Sequence, residues 1–193
     1  MARHREFDVD HAIDAAINVF WQNGYGGTSI QDLVDATGVS RAGLYAVFGN
    51  KEGLFNATLD RYISSGVGQI ILDAPIDEPL KELMRRVLYH MVEQGVANVR
   101  PRGCMITNTA IEMTTGNGVA KAKVAAYMIA IEANLYARIV RGQARNELRE
   151  SIAPRAAARF IVNNMHGMRV MAKIFPDCET LSDIAESVLS SLD

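Results

Sequence analysis

Residues 28–51, TSIQDLVDATGVSRAGLYAVFGNK, constrain the fold of this 193-residue chain more than any other segment. Apolar residues recur at helical spacing in both halves of it, at Ile30, Leu33 and Val34 and again at Leu44 and Phe48. Between the halves, Gly38 can end a helix in the left-handed conformation, Val39 can fill the angle between two helices, and Ser40 can cap the second. Two short helices joined in this way are typical of a helix-turn-helix, which places its second helix in the major groove of DNA.

With Leu44 and Phe48 turned inward, the second helix presents other side chains to a duplex. Arg41 is the best candidate for a base contact, because its planar guanidinium can bond O6 and N7 of guanine together. Tyr45 is expected to reach a phosphate. Ala42 and Ala46 are small enough to let the helix approach the bases and to contact a thymine methyl group.

Lys51 is a further candidate DNA contact. It is expected to begin the next helix, with Asn50 as the cap, and an ammonium group beside free backbone N–H groups attracts a phosphate. The alternative is that all these side chains are ordinary solvated residues on the surface of a three-helix domain.

The segment and its surroundings resemble the N-terminal domain of the TetR family of transcriptional regulators. The matching positions are Asp8, Ala16, Phe20, Gly24-Tyr25, Thr28-Ser29, Leu33, Gly38-Val39, Leu44-Tyr45, Phe48, Lys51 and Leu54-Phe55. The resemblance implies an all-α fold, in which an N-terminal three-helix helix-turn-helix domain (1–50) precedes a C-terminal helical bundle for ligand binding and dimerisation (51–193). It also implies a dimeric repressor that binds a palindromic operator in double-stranded DNA and is released by a small-molecule effector.

In this family the positions that commonly touch the operator correspond here to Ser29, Gln31, Arg41, Ala42, Gly43, Tyr45, Val47 and Lys51. Val47 stands where many members carry histidine or tyrosine, and Gly43 where a hydroxyl side chain is frequent. Two polar contacts of the family are therefore expected to be missing in this chain.

Charge is the feature that fits DNA binding least well. The first 60 residues carry four basic and eight acidic side chains, a net charge of −4, whereas a DNA-binding domain usually has a basic face. Several of the acidic residues fall on the first helix, away from the second helix of the helix-turn-helix. A basic arm, Arg3-His4-Arg5, is a candidate for contacts with phosphates or the minor groove, and the small number of cations predicts modest non-specific affinity.

Beyond residue 60 the spacing of apolar residues indicates helix after helix, with no strand pattern. Helices are predicted from Lys51 to about Ser65, from Leu80 towards Gly95, from about Gly103 to Thr114, along a stripe from Val124 to Ile139, and from Pro154 onwards.

The last two helices, about 155–175 and 180–192, are predicted to pair with a second copy of the chain. The first carries a coiled-coil-like seam, and the second a narrow apolar stripe that a cap at Thr180 opens. The seam consists of Ala157, Ile161, Asn164, Met168, Met171 and Phe175, and the stripe of Leu181, Ile184, Ala185, Val188, Leu189 and Leu192. The alternative is that both helices simply cover the core of one chain.

An effector is expected among the middle helices, because ligand cavities in helical bundles are mostly apolar with a few polar groups. The candidate lining residues are Met84, Met91, Cys104, Met105, Asn108, Tyr127, Met128, Asn164 and Met168. The methionines would give an adaptable apolar wall, and the polar residues would orient the ligand. The alternative for each methionine is that it fills the core.

Cys104 is also a candidate redox or electrophile sensor. A thiol in the first turn of a helix close to Arg100 and Arg102 has its anion favoured by the helix dipole and by both cations. The Gly103-Cys104 pair resembles the corresponding stretch in some TetR-like repressors that respond to electrophiles or oxidants through a cysteine. The alternative is an inert cysteine that packs as an apolar residue.

The sequence argues against an enzyme. Its four histidines and two cysteines show no short metal-ligand spacing, and no phosphate-binding glycine loop follows a strand. Neither a metal nor a cofactor is therefore expected. A helical redox or metal enzyme and a helix-turn-helix scaffold that binds a protein stay as alternatives. The chain has no apolar run of membrane-spanning length and no signal-peptide core, so we expect a cytoplasmic protein without a membrane partner.

Overall fold

The computed structural model describes residues 7–97, 102–112 and 118–193, and these residues form ten helices and no strand. The predicted all-α class is confirmed. The helices are α1 (Val9–Asn23), α2 (Ile30–Thr37), α3 (Arg41–Phe48), α4 (Lys51–Ser65), α5 (Val67–Asp73), α6 (Leu80–Ala97), α7 (Met105–Glu112), α8 (Gly118–Ala144), α9 (Pro154–Ile174) and α10 (Cys178–Ser190).

The chain divides into two compact units. Unit 1 combines the chain up to Ser65 with Met105–Val124, and unit 2 combines Gly66–Cys104 with Ala125–Asp193. The predicted boundary at residue 50 therefore falls inside unit 1. The reason is that α4 packs against α1 and α3, and α7 packs against α4.

Unit 1 is built around aromatic rings on α1 and α4. Phe20 and Phe55 are almost fully buried and meet edge to face, with 4.9 Å between their ring centroids. Leu33 of α2 and Leu44 of α3 are completely buried. Both helices therefore pack into unit 1 with the side that the sequence predicts to be apolar. The opposite sides of α2 and α3 are left to solvent.

Unit 2 has its core on α6, which packs against α5, α9 and α10. Leu83, Val87 and Leu88 of α6 are completely buried. Arg138 of α8 is also buried, and its guanidinium donates to the carbonyl oxygens of Ala74 at 2.6 Å and Pro75 at 2.9 Å. It thereby holds the connection between α5 and α6.

The prediction for α10 is wrong in two respects. The helix begins at Cys178 rather than after Thr180, because Asp177 is the cap and its carboxylate accepts the Thr180 N–H at 2.8 Å. Its apolar stripe also packs inside its own chain against α6 and α9, with Leu181, Ala185 and Val188 buried. The outward side of α10 is polar.

The seam predicted on α9 divides between two faces of the helix. Ile161 and Met168 are buried in the core of unit 2, whereas Phe175 is 51% exposed. Pro154 is the first residue of α9, as predicted. Three apolar side chains of α9, Phe160, Val170 and Ile174, are exposed as well.

The helices that the structure describes include none that is long and apolar enough to cross a membrane.

Candidate nucleic-acid interface

The turn between α2 and α3 has the predicted geometry. Gly38 adopts the left-handed conformation, with φ of 69°, and its N–H donates to the Val34 carbonyl oxygen at 2.9 Å. Ser40 caps α3, since its hydroxyl accepts the Gly43 N–H at 3.2 Å. These local bonds fix the angle at which α3 leaves α2.

The outward face of α3 is exposed and carries a single cation. Arg41, Ala42, Ala46 and Val47 are exposed, and the Arg41 guanidinium lies 5.2 Å from the centroid of the half-buried Tyr45 ring. Over the residues that the structure describes, Arg41 has no carboxylate partner. A guanidinium without an ion pair is free to meet an acceptor on another molecule.

Gly43 is a packing residue as much as a surface residue. A Cβ atom at this position would lie 2.9 Å from Cγ1 of Val39, the residue that fills the angle between α2 and α3. The missing side chain therefore gives Val39 its space.

Ser29 and Gln31, at the start of α2, make contacts within their own helix. Ser29 and Asp32 form a capping box, in which the Ser29 N–H donates to Asp32 at 2.8 Å and the Asp32 N–H donates to the Ser29 hydroxyl at 3.1 Å. The Ser29 N–H and the Ser29 hydroxyl both donate to the Asp32 carboxylate and lower its pKa. The Gln31 side chain donates to Asp35 at 2.7 Å. Both residues are exposed, and their contacts with an operator stay predictions.

Lys51 has a role inside unit 1 that the sequence does not indicate. Its ammonium donates to the carbonyl oxygens of Tyr25 at 2.9 Å and Thr28 at 2.8 Å, and it lies 4.3 Å from the Tyr25 ring centroid. Lys51 does begin α4, and Asn50 caps this helix by accepting the Gly53 N–H at 2.8 Å. Since the ammonium is engaged here, a phosphate contact by Lys51 itself stays a prediction.

Glu112, the last residue of α7, is the contact that sequence reasoning missed. Its carboxylate accepts the N–H of Tyr25 at 2.8 Å and the N–H of Gly26. A Cβ atom on Gly24 would lie 2.8 Å from this carboxylate, and one on Gly26 would lie 3.0 Å from it. Because Gly24 and Gly26 have no side chains, they leave the space that the Glu112 carboxylate occupies, and we call this space the seat of the carboxylate.

The backbone of Tyr25 is thus bonded at both its N–H group and its carbonyl oxygen. Glu112 binds its N–H group, and Lys51 binds its carbonyl oxygen. We call these three residues the turn clasp, because they tie α7 and the start of α4 to the connection between α1 and α2.

Three acidic residues of unit 1 form ion pairs with cations that do not lie on α3. Asp10 and Asp14 form ion pairs with Arg61 of α4, and Asp60 pairs with Lys123 of α8. The negative net charge of the first 60 residues is therefore compatible with DNA binding by α3, because the one charged side chain of α3 is that of Arg41. The predicted basic arm, Arg3-His4-Arg5, lies outside the described residues.

The candidate effector residues are distributed over both units. Met84, Met91 and Met168 belong to the core of unit 2, where they fill space between helices. Met128 of α8 is half-buried, and Asn164 of α9 donates to the Phe160 carbonyl oxygen at 2.8 Å. Met105 is buried and Asn108 half-buried on α7, in unit 1.

Tyr127 and Cys104 are near each other in unit 2. Tyr127 is half-buried against the backbone of Gly68, where a Cβ atom would lie 1.9 Å from the phenolic oxygen. Burial, and then the charge of the Cys104 thiolate, raise the pKa of Tyr127 to about 12. Cys104 is half-buried, is not part of a disulfide, and lies immediately before α7. Arg100, one of the two cations predicted to activate it, lies outside the described residues.

Within residues 7–97, 102–112 and 118–193, no group of three or more histidine, cysteine, aspartate or glutamate side chains is placed to hold a metal ion.

Comparison with known proteins identifies both parts of the chain. Residues 12–58 match the family model of bacterial regulatory proteins of the tetR family, and residues 80–188 match the model of the tetracyclin repressor-like C-terminal domain. The chain belongs to the TetR family. TetR-family relatives span its whole length, so the helix-turn-helix and the bundle are the two parts of one transcriptional regulator.

Two curated relatives match nearly all of this TetR-family chain. The HTH-type transcriptional repressor ComR of Escherichia coli is 30% identical over 97% of the chain and 90% of its own length. The uncharacterized HTH-type transcriptional regulator YezE of Bacillus subtilis is 30% identical over the full length of both proteins. A solved structure of a cysteine mutant of the TetR family regulator CifR, in complex with a 26-bp operator, is 28% identical, covers 100% of both chains and has a TM-score of 0.83.

Proposed function

We propose that this TetR-family regulator is a homodimeric repressor that binds a palindromic operator through α3 and leaves it when a small-molecule effector occupies the helical bundle. One observation carries the proposal: α3 is fixed by Leu44 on its inner side and presents an exposed outer face with an unpaired Arg41. A rigid helix with a free guanidinium and small neighbours matches the requirements of the major groove. The CifR complex with operator DNA supports the same use of the fold.

The residues divide the work according to their chemistry. Arg41 contacts guanine, Tyr45 a phosphate, and Ala42 and Ala46 let the helix lie close to the bases. At the start of α2 and α4, Ser29, Gln31 and the backbone N–H groups beside Lys51 contact phosphates, because helix N-termini attract anions. Gly43 and Val47 complete the face.

Dimerisation through the last two helices is supported by the exposed side of α9. Phe160, Val170 and Ile174 are spaced by ten and four residues, which places them on one side of the helix, and all three are at least 44% exposed. A second copy would cover them by a two-fold contact, in which α10 takes part with its polar outer side. A two-fold dimer also presents two α3 helices to the two halves of a palindrome.

The effector would favour a conformer in which the two α3 helices no longer match the spacing of the operator. A difference of about 1–3 kcal/mol in its affinity for the two conformers is enough for a usable switch. Residues of unit 2 such as Met128, Tyr127 and Asn164 are half-buried rather than fully packed, so they are the candidates that a ligand could reach with least repacking.

The test begins with selection of binding sites from a random duplex library with the purified full chain. We expect a palindromic consensus. Fluorescence anisotropy on that duplex should then show that Arg41→Ala weakens binding by about tenfold or more, since a bidentate guanine contact is worth about 1–3 kcal/mol. Arg85→Ala is the matched control, because Arg85 is an exposed arginine of unit 2 that pairs with Glu82 of its own helix. Equal affinity of Arg41→Ala and the unaltered protein would contradict the proposal.

A second proposal is that oxidation or alkylation of Cys104 is the releasing signal. It is supported by the position of Cys104, a cysteine outside any disulfide that lies directly before α7, the helix whose last residue is Glu112 of the turn clasp. Hydrogen peroxide or N-ethylmaleimide should release the operator from the unaltered protein and leave the Cys104→Ser complex intact. Cys178→Ser, which alters the other cysteine, should respond like the unaltered protein. Release from Cys104→Ser at the same dose would exclude this signal.

A further inference from the structure

The connection between α1 and α2 is rich in glycine, and a residue from a distant part of the chain holds it. Gly24, Gly26 and Gly27 are three of its six residues, and glycine has more conformational freedom than any other residue. The Glu112 carboxylate, at the end of α7, accepts the N–H groups of Tyr25 and Gly26. The middle of an intrinsically flexible connection is therefore held by a side chain 87 residues away.

The end of this connection leads directly into the first turn of α2. Thr28 is buried, and Ser29 caps the helix. The first backbone bond of α2 runs from the Leu33 N–H to the Ser29 carbonyl oxygen. The N–H groups of Ile30 and Gln31 lie before that bond, at the open end of the helix, where they can meet an acceptor on another molecule. The position of this open end depends on the connection that precedes it.

We propose that Glu112 is a positioning residue for operator binding, because it holds the first turn of α2 where Ser29, Gln31 and the backbone N–H groups contact a DNA phosphate. This inference rests on the proposed function, since it requires α2 to lie against the DNA backbone. Glu112 does not contact the DNA, because its carboxylate is bonded to Tyr25 and Gly26 and repels a phosphate. It orders the connection in advance, so that binding does not have to supply that order.

The sign of the effect separates positioning from charge. A carboxylate that only stood near the DNA would oppose binding, so its removal would tighten the complex. A carboxylate that orders the connection supports binding, so its removal weakens the complex. Glu112→Gln keeps the shape and one acceptor oxygen without the charge. Its affinity should therefore fall between those of the unaltered protein and Glu112→Ala.

Fluorescence anisotropy on the selected operator measures the effect. We expect Glu112→Ala to weaken binding about fivefold for each subunit and about 25-fold for the dimer, because the binding energy must then replace the order that two hydrogen bonds supply. Titration far above the dissociation constant gives the active fraction, and affinity is expressed per active dimer. A residue that only stabilised the fold would change that fraction and not the affinity. Glu150→Ala, at an exposed glutamate of unit 2, is the matched control and should bind normally.

Operators with neutral phosphates assign the effect to α2. A methylphosphonate, which replaces a charged oxygen by a methyl group, is placed at each phosphate in turn, in both half-sites together. On one of these duplexes Glu112→Ala and the unaltered protein should bind equally, because a connection with no phosphate to present gains nothing from being ordered. Gln31→Ala should also lose its deficit on this duplex. Arg41→Ala should keep its deficit there, since its base contact is independent of that phosphate.

The outcomes separate this inference from the proposed function. If no specific duplex is selected, the proposed function fails. The positioning role is overturned, and the operator-binding function stands, if a specific complex forms and Glu112→Ala binds it as tightly as the unaltered protein or more tightly. A deficit of Glu112→Ala that persists on every methylphosphonate duplex overturns it as well.

Discussion

At the scale of single residues, Lys51 suits two roles, one in the stability of unit 1 and one as a candidate phosphate contact. Its ammonium bonds two carbonyl oxygens and lies over the Tyr25 ring, so it closes the connection between α1 and α2. A positively charged residue at the start of a helix is also what a phosphate requires. The structure thus gives Lys51 a stabilising role that does not depend on DNA.

Lys51→Met tests that stabilising role. Methionine keeps most of the apolar stem but leaves the carbonyl oxygens of Tyr25 and Thr28 without their donor. We expect the free energy of unfolding to fall by about 1–2 kcal/mol, because hydrogen bonds from a charged donor are worth about that much when partly exposed. Urea unfolding followed by the fluorescence of Trp21, the single tryptophan of the chain and a residue of α1, reports on unit 1.

The matched control for this substitution is Lys121→Met. Lys121 is an exposed lysine of α8 in unit 1, so its replacement should leave the urea midpoint unchanged. Equal stability of Lys51→Met and Lys121→Met would show that the bonds of Lys51 contribute nothing measurable.

At the scale of helices, the turn clasp joins elements that are far apart in sequence. Glu112→Ala should lower the free energy of unfolding of unit 1 by about 1 kcal/mol, since two backbone N–H groups lose their acceptor at an exposed site. Gly26→Ala should produce a similar loss, because its Cβ atom would displace the carboxylate. The same Trp21 fluorescence measures both changes.

The two substitutions should not add. Once Glu112 is gone, Gly26→Ala has nothing to displace, so the double variant should be no less stable than Glu112→Ala alone. Glu150→Ala, at an exposed glutamate of the connection before α9, should have no effect. Full additivity of the two losses would mean that Gly26 and Glu112 act independently and that the seat does not exist.

The cap of α10 gives a pH dependence with a defined sign. Hydrogen bonds from the Thr180 N–H and hydroxyl lower the pKa of Asp177 in the folded protein below its ordinary value of 3.8. The carboxylate therefore stabilises α10 fully well above pH 3.8, and this contribution is lost as the pH falls through the lowered pKa. Asp177→Asn keeps a capping oxygen and does not titrate.

Thermal unfolding between pH 6 and pH 3 measures this contribution. The midpoint of the unaltered protein should fall more steeply below pH 4 than that of Asp177→Asn, and the two should run parallel above pH 5. Parallel curves over the whole range would show that the Asp177 bond to Thr180 does not affect stability.

The elements show why some features could be predicted from sequence and others could not. The cap at Ser40, the end of α2 at Gly38 and the start of α9 at Pro154 were predictable, because each depends on partners within a few residues. The cap of α10 was misplaced because Thr180 and Asp177 compete for the same helix start. The contact of Glu112 with Tyr25 spans 87 residues, and no local pattern signals it.

In the candidate DNA interface too, some features follow from local sequence and others depend on how the helices pack. The inward side of α3 follows from helical spacing, so the exposed positions of Arg41 and Val47 could be derived from Leu44. The engagement of Lys51 could not, since its partners depend on how α4 packs against α1. The register of the α9 seam was ambiguous because apolar residues lie on both faces of that helix.

At the scale of the whole molecule, the assembly decides whether α3 can act. A palindrome requires two α3 helices at a fixed spacing, and α9 carries the exposed apolar side chains of Phe160, Val170 and Ile174 on the side opposite its core residues. Exposed apolar surface of this kind marks protein interfaces. The affinity for the operator is therefore expected to depend on residues that never contact DNA.

Ile174→Asp tests this dependence, because a carboxylate in the centre of a two-fold contact meets its own copy and loses its water. Sedimentation at micromolar concentration should show a monomer, and operator affinity should fall by more than tenfold with the helical circular dichroism unchanged. Ile129→Asp is the matched control: Ile129 of α8 is 66% exposed and Ile174 67%, so both changes place the same charge at equally exposed isoleucines on different helices. Ile129→Asp should stay dimeric and bind the operator normally. If Ile174→Asp remains a dimer, the contact between copies does not include this exposed side of α9. If Ile129→Asp alone dissociates, the contact lies on α8.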